Sequence, residues 1–367
     1  MSVTQKKVAD RLGLSQRAVA FALSDSPHAR KQLRPETRQR ILATARKLGY
    51  APNVHARRLV RGRADHVALI VRFLESPFYA QLADQFVRTF SEFDIRASLD
   101  VADDSEEATV STVRNFGGEM VDAVFVCPSR PAMSFARIKA AVRCPVICLI
   151  HKPPDPLVPY VALDTRGAAR EGTRHLVRRG RRRIGYVGAM AEEDGRFQGY
   201  GDALREAGMT SDPSWQVGDD WFFMDRGREA GEKLANLAQP PDALFVASDA
   251  VAMGVISGLG RKGVRVPEDV AIVSVDGVRM GAYCRPALTT MAWPLPSIVN
   301  RCRAMVQAIH GGRTKEEILQ MSVELQAGLV VRDSCGQGTV PPGNGNRVDT
   351  WQENRSAEAP GGRLISV

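Results

Sequence analysis

Residues 15–23 of this chain read Ser15-Gln16-Arg17-Ala18-Val19-Ala20-Phe21-Ala22-Leu23, and they predict a short capped helix. The Ser15 hydroxyl can accept one of the free backbone N–H groups of the first turn. On a helical projection Val19 and Ala22 share the side that we expect to pack, while Arg17 and Phe21 lie on the opposite side. The second side is therefore free to contact another molecule.

Two more helices are predicted around this one. Residues 4–12 form a short apolar-faced segment that ends at Gly13, which suits a tight turn into the next helix. Downstream, Pro35 stands at a typical first position of a helix that Gly49 ends. A helix, a glycine turn and a capped helix together are typical of a helix-turn-helix.

Five short motifs lie in order within the first sixty residues. They are Val8-Ala9, Ser15-x-x-Ala18-Val19, Glu36-Thr37-Arg38, Leu48-Gly49-Tyr50-x-Pro52-Asn53 and Ala56-Arg57-x-Leu59. Together they resemble the lactose-repressor (LacI/GalR) family of bacterial transcription regulators. The resemblance implies a dimer that binds a pseudo-palindromic DNA operator, one helix-turn-helix per half-site.

The charge distribution supports a nucleic-acid partner. Residues 1–63 hold 15 Lys and Arg against 3 Asp and Glu, whereas the remaining residues hold 35 against 38. The excess positive charge therefore lies in the first sixth of the chain, as expected for a small domain that meets phosphates. A solvated basic surface is the alternative.

From residue 66 onward, buried strands alternate with helices. Near-continuous apolar runs occur at residues 66–71, 95–101, 122–127, 146–150, 183–188, 243–247 and 270–275. Such runs predict parallel sheets covered on both faces, and the length allows two doubly wound lobes with a cleft between them. We expect the chain to pass to the second lobe near residues 159–164 and to return near residues 288–296.

This second region resembles the effector domain of the same family, which is of the periplasmic-binding-protein type. The matching motifs include Ser76-Pro77-Phe78-Tyr79, Arg196-x-x-Gly199-Tyr200, Ser248-Asp249-x-x-Ala252 and Val275-Asp276. The predicted fold class is thus an all-α helix-turn-helix domain followed by an α/β domain of two parallel-sheet lobes. The predicted boundaries are residues 1–50 for the DNA-binding domain, 51–63 for a hinge helix and linker, 64–335 for the effector domain and 336–367 for a disordered tail.

The first turns of the second helix carry the side chains that would read base edges. Arg17 can pair with guanine, Gln16 with adenine, and Phe21 offers only apolar contact; Ser15 at the helix start completes the predicted contacts. Phe21 either reads a base or is partly packed. By resemblance the hinge adds DNA contacts from Asn53, Ala56, Arg57 and Leu59, and Leu59 would enter a base step from the minor groove.

Polar residues at strand ends and helix starts are the candidates for an effector site, because ligands of doubly wound sheets bind there. By resemblance Arg196 would donate to the ligand, and Asp249 and Asp276 would accept from hydroxyl groups. Asp249 has helix capping as its alternative role. The remaining candidates are Ser248, Trp221, which would stack on a sugar or pack in the core, and Glu75, which contacts the ligand or marks a narrowed pocket.

The sequence gives no reason to expect a metal or a cofactor. Its six cysteines include no CxxC pair, so we expect reduced thiols. The absence of a signal-peptide pattern predicts a cytoplasmic protein. An enzyme is disfavoured because no Gly-x-Ser-x-Gly elbow or dinucleotide fingerprint occurs, and a transport solute-binding protein is disfavoured by the basic N-terminal domain. The family's effectors are usually sugars, with nucleosides and purines as the alternative.

Overall fold

The described part of the N-terminal region consists of three short helices. The computed structural model describes residues 3–23, 32–50, 63–102, 105–117, 121–128, 133–191, 194–218 and 223–336. The helices are α1 (Gln5–Leu12), α2 (Gln16–Leu23) and α3 (Pro35–Lys47). Their buried side chains form one small core of Val8, Ala9, Val19, Ala22, Ile41 and Ala45. The predicted helix-turn-helix is confirmed.

The chain divides into two units, residues Met1–Ala64 and Asp65–Val367. In chain order the second unit contains β1 (His66–Val71), α4 (Pro77–Ser91), β2 (Arg96–Val101), α5 (Glu106–Asn115), β3 (Ala123–Val126), α6 (Ala136–Ala141), β4 (Val146–Ile150), β5 (Tyr160–Leu163), α7 (Thr165–Arg178), β6 (Ile184–Val187), α8 (Gly195–Glu206), β7 (Gln216–Val217), α9 (Met224–Ala235), β8 (Ala243–Val246), α10 (Asp249–Arg261), β9 (Ala271–Asp276), β10 (Thr289–Ala292), α11 (Leu295–His310), α12 (Lys315–Leu319), β11 (Val323–Leu325) and β12 (Gly328–Val330). Within the described residues, no helix combines the length and hydropathy that crossing a bilayer requires.

These strands form two six-stranded sheets, each at the centre of one lobe. The first lobe has the order β11-β5-β4-β3-β1-β2, with every neighbouring pair parallel. The second lobe has the order β12-β10-β9-β8-β6-β7, in which only the edge strand β12 runs antiparallel to its neighbour. The central strands are buried along their whole length, as their Val- and Ile-rich sequences predict. The predicted two-lobed α/β fold is confirmed.

The chain passes between the lobes three times, not twice as the sequence indicated. The first crossing, predicted near residues 159–164, comes directly after strand β5 of the first sheet, at residue 164. The return lies between β10 and α11, because residues 289–292 pair with β9 in the second lobe. A further crossing joins β11 of the first sheet to β12 of the second. Strands β11 and β12 are short, so their positions depend on neighbouring strands that are distant in sequence.

Helices α9 and α10 pack against each other through glycines. A Cβ atom at Gly254 would overlap the carbonyl oxygen of Met224, and one at Gly258 would overlap that of Arg228. From the other side, a Cβ at Gly227 would overlap the carbonyl oxygen of Val251. The two backbones therefore approach closely, and only residues without a side chain fit at these positions.

Candidate functional site

The start of α2 is fixed by a serine cap. The backbone N–H of Ala18 donates to Ser15 Oγ at 3.2 Å. Val19 and Ala22 are fully buried in the small core of the first unit. Because these two positions are held by packing, the opposite side of the helix is presented in one orientation.

The opposite side carries the predicted base-reading residues. Gln16 and Arg17 are exposed, and Phe21 is half-buried. The guanidinium carbon of Arg17 lies 5.4 Å from the centroid of the Phe21 ring, one helical turn away. A cation–π contact of this kind orders the long arginine side chain before it meets a partner. The exposed side of α2 thus presents the positively charged guanidinium group of Arg17 in a partly ordered position.

The predicted hinge contacts cannot be compared with the structure. Asn53, Ala56, Arg57 and Leu59 lie outside the described residues. The same is true of Trp221 in the effector domain and of the tail from residue 337 onward. The roles of these residues, and the domain boundaries drawn through them, stay predictions.

Five polar side chains from both lobes form what we call the cleft cluster: Arg72, Tyr79, His151, Arg196 and Asp276. Arg72 follows β1 and His151 follows β4, at the carboxyl edge of the first sheet, and Tyr79 lies in the first turn of α4. Arg196 lies in the first turn of α8, and Asp276 ends β9. Burial raises the pKa of Tyr79, whose hydroxyl also interacts with Arg72, Arg196 and Asp276. The cluster therefore joins the two lobes.

Asp249 lies behind this cluster and is held by the protein itself. It is fully buried, and its carboxylate accepts hydrogen bonds from Ser274 Oγ at 2.5 Å, Thr290 Oγ1 at 2.7 Å and the Val278 N–H at 2.7 Å. Burial raises its pKa, and these donors oppose the rise. The helix cap is Ser248, whose Oγ accepts from the Val251 N–H at 3.2 Å. The observed bonds give Asp249 a structural role, and its contact with an effector stays a prediction.

Asp276 is the strained member of the cluster. Its φ of +126° is rarely adopted by a residue with a side chain, and Gly277 follows with φ of +76°. Burial raises the pKa of Asp276, the nearby Asp249 raises it further, and Arg196 partly offsets both. A carboxyl group held in a high-energy backbone conformation between two lobes is typical of a functional position.

The pKa of His151 is affected by the positive charges of the cluster. Burial, and then the charges of Arg196 and Arg72, lower the pKa of His151 to about 4. The ring is therefore neutral at physiological pH. Sequence reasoning missed both His151 and Arg72 as site residues, although each follows a predicted strand and could have been found by the same rule that selected Asp276.

Aromatic rings close one side of the cleft. Phe73 from the first lobe packs edge-on against Tyr79, with ring centroids 5.5 Å apart, and it meets Phe223 from the second lobe at 5.3 Å. The guanidinium carbon of Arg72 lies 5.2 Å from the Phe73 ring. Glu75, a predicted ligand contact, is exposed in the turn before α4. The bulky segment after β1 thus supplies an aromatic contact between lobes.

Comparison with known proteins places the chain among bacterial regulators. A family model described as a periplasmic binding protein-like domain matches residues 173–335. Catabolite control protein A of Priestia megaterium is 28% identical over 302 residues, which cover 81% of this chain and 90% of that protein. The regulator CelR of Thermobifida fusca is 29% identical and covers 90% and 98%. Over most of its length the chain resembles regulators of the lactose-repressor family.

Solved structures agree with this assignment. The CelR–cellobiose complex is 28% identical, has a TM-score of 0.64 and covers 90% of this chain and 99% of that one. The lactose repressor dimer bound to its operator matches with a TM-score of 0.78 at 19% identity over 91% and 99%, which shows the shared fold. Like these relatives, this protein is a DNA-binding transcription regulator and not an enzyme.

Proposed function

We propose that this protein is a homodimeric regulator that reads its operator with Gln16 and Arg17 of α2 and changes its DNA affinity when a small hydroxylated molecule occupies the cleft. The exposed Arg17 fork, ordered by Phe21 on a rigidly packed helix, carries this proposal. The likeness to regulators of the lactose-repressor family supports operator binding. The hinge helix with Leu59 completes the proposed switch, although it rests on the sequence alone.

A sugar is the proposed effector class. The CelR relative is solved as a complex with cellobiose, and its fold covers most of this chain. Phe73, Tyr79 and Phe223 offer ring faces that sugars stack on, while Arg196 and Asp276 offer a donor and an acceptor. The same rings suit a nucleoside or purine, which is the second candidate. Since operator DNA is the partner, we place the protein in the cytoplasm.

We expect Arg17→Ala to lose discrimination at one base position of each half-site. A bidentate arginine–guanine pair contributes about 1–3 kcal/mol, so affinity for the best site should fall roughly 5- to 150-fold while substituted sites change less. The measurement is a selection of bound genomic fragments at a stated salt concentration, followed by titration of single-base variants. Arg40→Ala, an exposed arginine of α3, is the matched control. Equal weakening of all sequences would mean that Arg17 contacts phosphate.

An apolar edge supports the proposed dimer. Strand β2 is the outer strand of the first sheet, and its Leu99 and Val101 are 37% and 42% exposed. Val87 on α4, which packs against β2, is 40% exposed. Edge strands with exposed apolar side chains are normally covered in the native assembly. We therefore propose that β2 and α4 contribute to the subunit interface.

Val101→Lys should convert the dimer into a monomer of 40.1 kDa. Loss of the paired half-sites should lower operator affinity by about 100-fold or more, because the second contact is no longer intramolecular. Analytical ultracentrifugation measures the mass, and Leu157→Lys, at an exposed position beyond the other side of the sheet, is the control. A dimeric Val101→Lys protein would remove β2 from the interface.

A further inference from the structure

The cleft cluster concentrates basic groups on one side. Arg72, His151 and Arg196 lie near one another, since both arginines act on the same histidine ring. Arg72 is further fixed by its contact with the Phe73 ring, which itself spans the lobes to Phe223. Arg196 starts α8, where Asp194 caps the helix by accepting from the Arg196 N–H at 2.8 Å. Two guanidinium groups from different lobes thus approach one space.

The two nearby aspartates, Asp249 and Asp276, do not fully neutralise the positive charges of Arg72 and Arg196. Asp249 is buried behind the cluster, and its carboxylate accepts three hydrogen bonds from the protein. Burial and the charge of Asp249 favour the neutral form of Asp276 by raising its pKa. Both arginines keep contacts within the protein, so a ligand would join or exchange with those contacts. A ligand group that binds in the cleft cluster meets two charged guanidinium groups and a neutral imidazole ring.

We propose that the effector carries an anionic group, a carboxylate or a phosphate, which Arg72 and Arg196 hold from the two lobes. Guanidinium groups bind such oxygens with two parallel hydrogen bonds. His151 can donate a further hydrogen bond when an anion offsets the neighbouring positive charges. Because the arginines belong to different lobes, an anion between them stabilises the closed arrangement of the cleft. This inference rests on the proposed function and names the chemical class of its effector.

The first test uses sulfate as the probe and follows the nuclear magnetic resonance signals of isotope-labelled histidine rings in the full chain. Replacing chloride by sulfate at constant ionic strength should shift the His151 resonance and raise the pKa of His151, because a bound anion opposes Arg72 and Arg196. The His151→Gln variant assigns the resonance. In Arg72→Gln, sulfate affinity should fall about tenfold or more, since one charge-assisted contact is lost. Arg72→Lys should keep part of the effect.

The matched control is Arg88→Gln, which removes one positive charge from an exposed side chain of the same lobe. It should bind sulfate at the cleft as the wild type does. A His151 resonance that ignores sulfate in the wild type, or an equal response in wild type and Arg72→Gln, would overturn the proposal. Operator binding measured on the same samples tests the proposed function separately from the anion site. A protein that does not bind DNA would contradict the proposed function but not the anion site.

A second arm distinguishes the two sources of negative charge. Calorimetric titration with D-glucose, D-glucuronate and D-glucose 6-phosphate compares one ring in neutral, carboxylate and phosphate forms. We expect at least one charged form to bind about tenfold tighter than glucose and to lose that advantage in Arg72→Gln. Tighter binding of glucose than of both charged forms would contradict an anionic effector. If none of these three compounds binds, the response of the His151 resonance to sulfate alone decides whether the cleft binds an anion.

Discussion

Gly254→Ala should lower the free energy of unfolding of the two-lobed unit by about 3 kcal/mol, near the upper end of the range for overpacked positions. The added methyl group meets the backbone carbonyl oxygen of Met224, which cannot rotate away as a side chain would. Helices α9 and α10 would have to separate, and the apolar side chains between them would lose contacts. Calorimetric melting of the full chain measures the loss.

The control for this prediction lies on the same helix. Gly260 is also part of α10, but a Cβ there has no atom within 4 Å. Gly260→Ala should therefore stabilise the protein by up to about 1 kcal/mol through helix propensity alone. Equal effects of the two substitutions would show that close packing of the helices does not determine the stability of this pair.

Asp249→Ala should cost about 3–5 kcal/mol of stability. The substitution leaves the hydroxyls of Ser274 and Thr290 and the N–H of Val278 without their acceptor in a buried place. Asp84→Ala, at an exposed carboxylate paired with Arg88, should change stability by less than about 1 kcal/mol. A small loss for Asp249→Ala would mean that these donors find other partners or water.

The Asp249→Asn variant removes the charge and keeps one oxygen that can accept from Ser274 and Thr290, although its amide nitrogen cannot accept from the Val278 N–H. In the wild type the raised pKa values of Asp249 and Asp276 mean that the folded state binds more protons, so their contribution to stability is lost as pH rises through those values. Removing the charge of Asp249 should lower the pKa of Asp276 and weaken this loss. Melting between pH 6 and pH 9 measures the slope, and an unchanged slope would contradict the coupling.

Much of the fold could be predicted from the sequence because its signals are local. The predicted strands at residues 66–71 and 146–150 match β1 and β4, whose apolar runs are unbroken. The cap at Ser15 and the buried side of α2 follow from spacing alone. By contrast, β11 and β12 have three residues each and no periodicity, so only their sheet neighbours define them.

The candidate site was less predictable because its properties arise from distant residues. The sequence selected Asp276 and Arg196, and the structure brings them into one cluster. It could not indicate that Asp249 is held by three protein donors, one each from β9, the loop after β9 and β10. Arg72 and His151 could have been selected as strand-end residues, but the sequence could not show that they lie near Arg196, since the proximity of one lobe to the other is not a local property.

The three crossings between the lobes have a consequence for biosynthesis. Strand β11 and helix α11 belong to the first lobe, but the ribosome makes them after ten of the twelve described strands. Until they arrive, β5 is an unpaired sheet edge, and α4 lacks the helix that packs against it. The lobe translated first is therefore the one completed late, and the edge of β5 stays open to other strands while the second lobe is made.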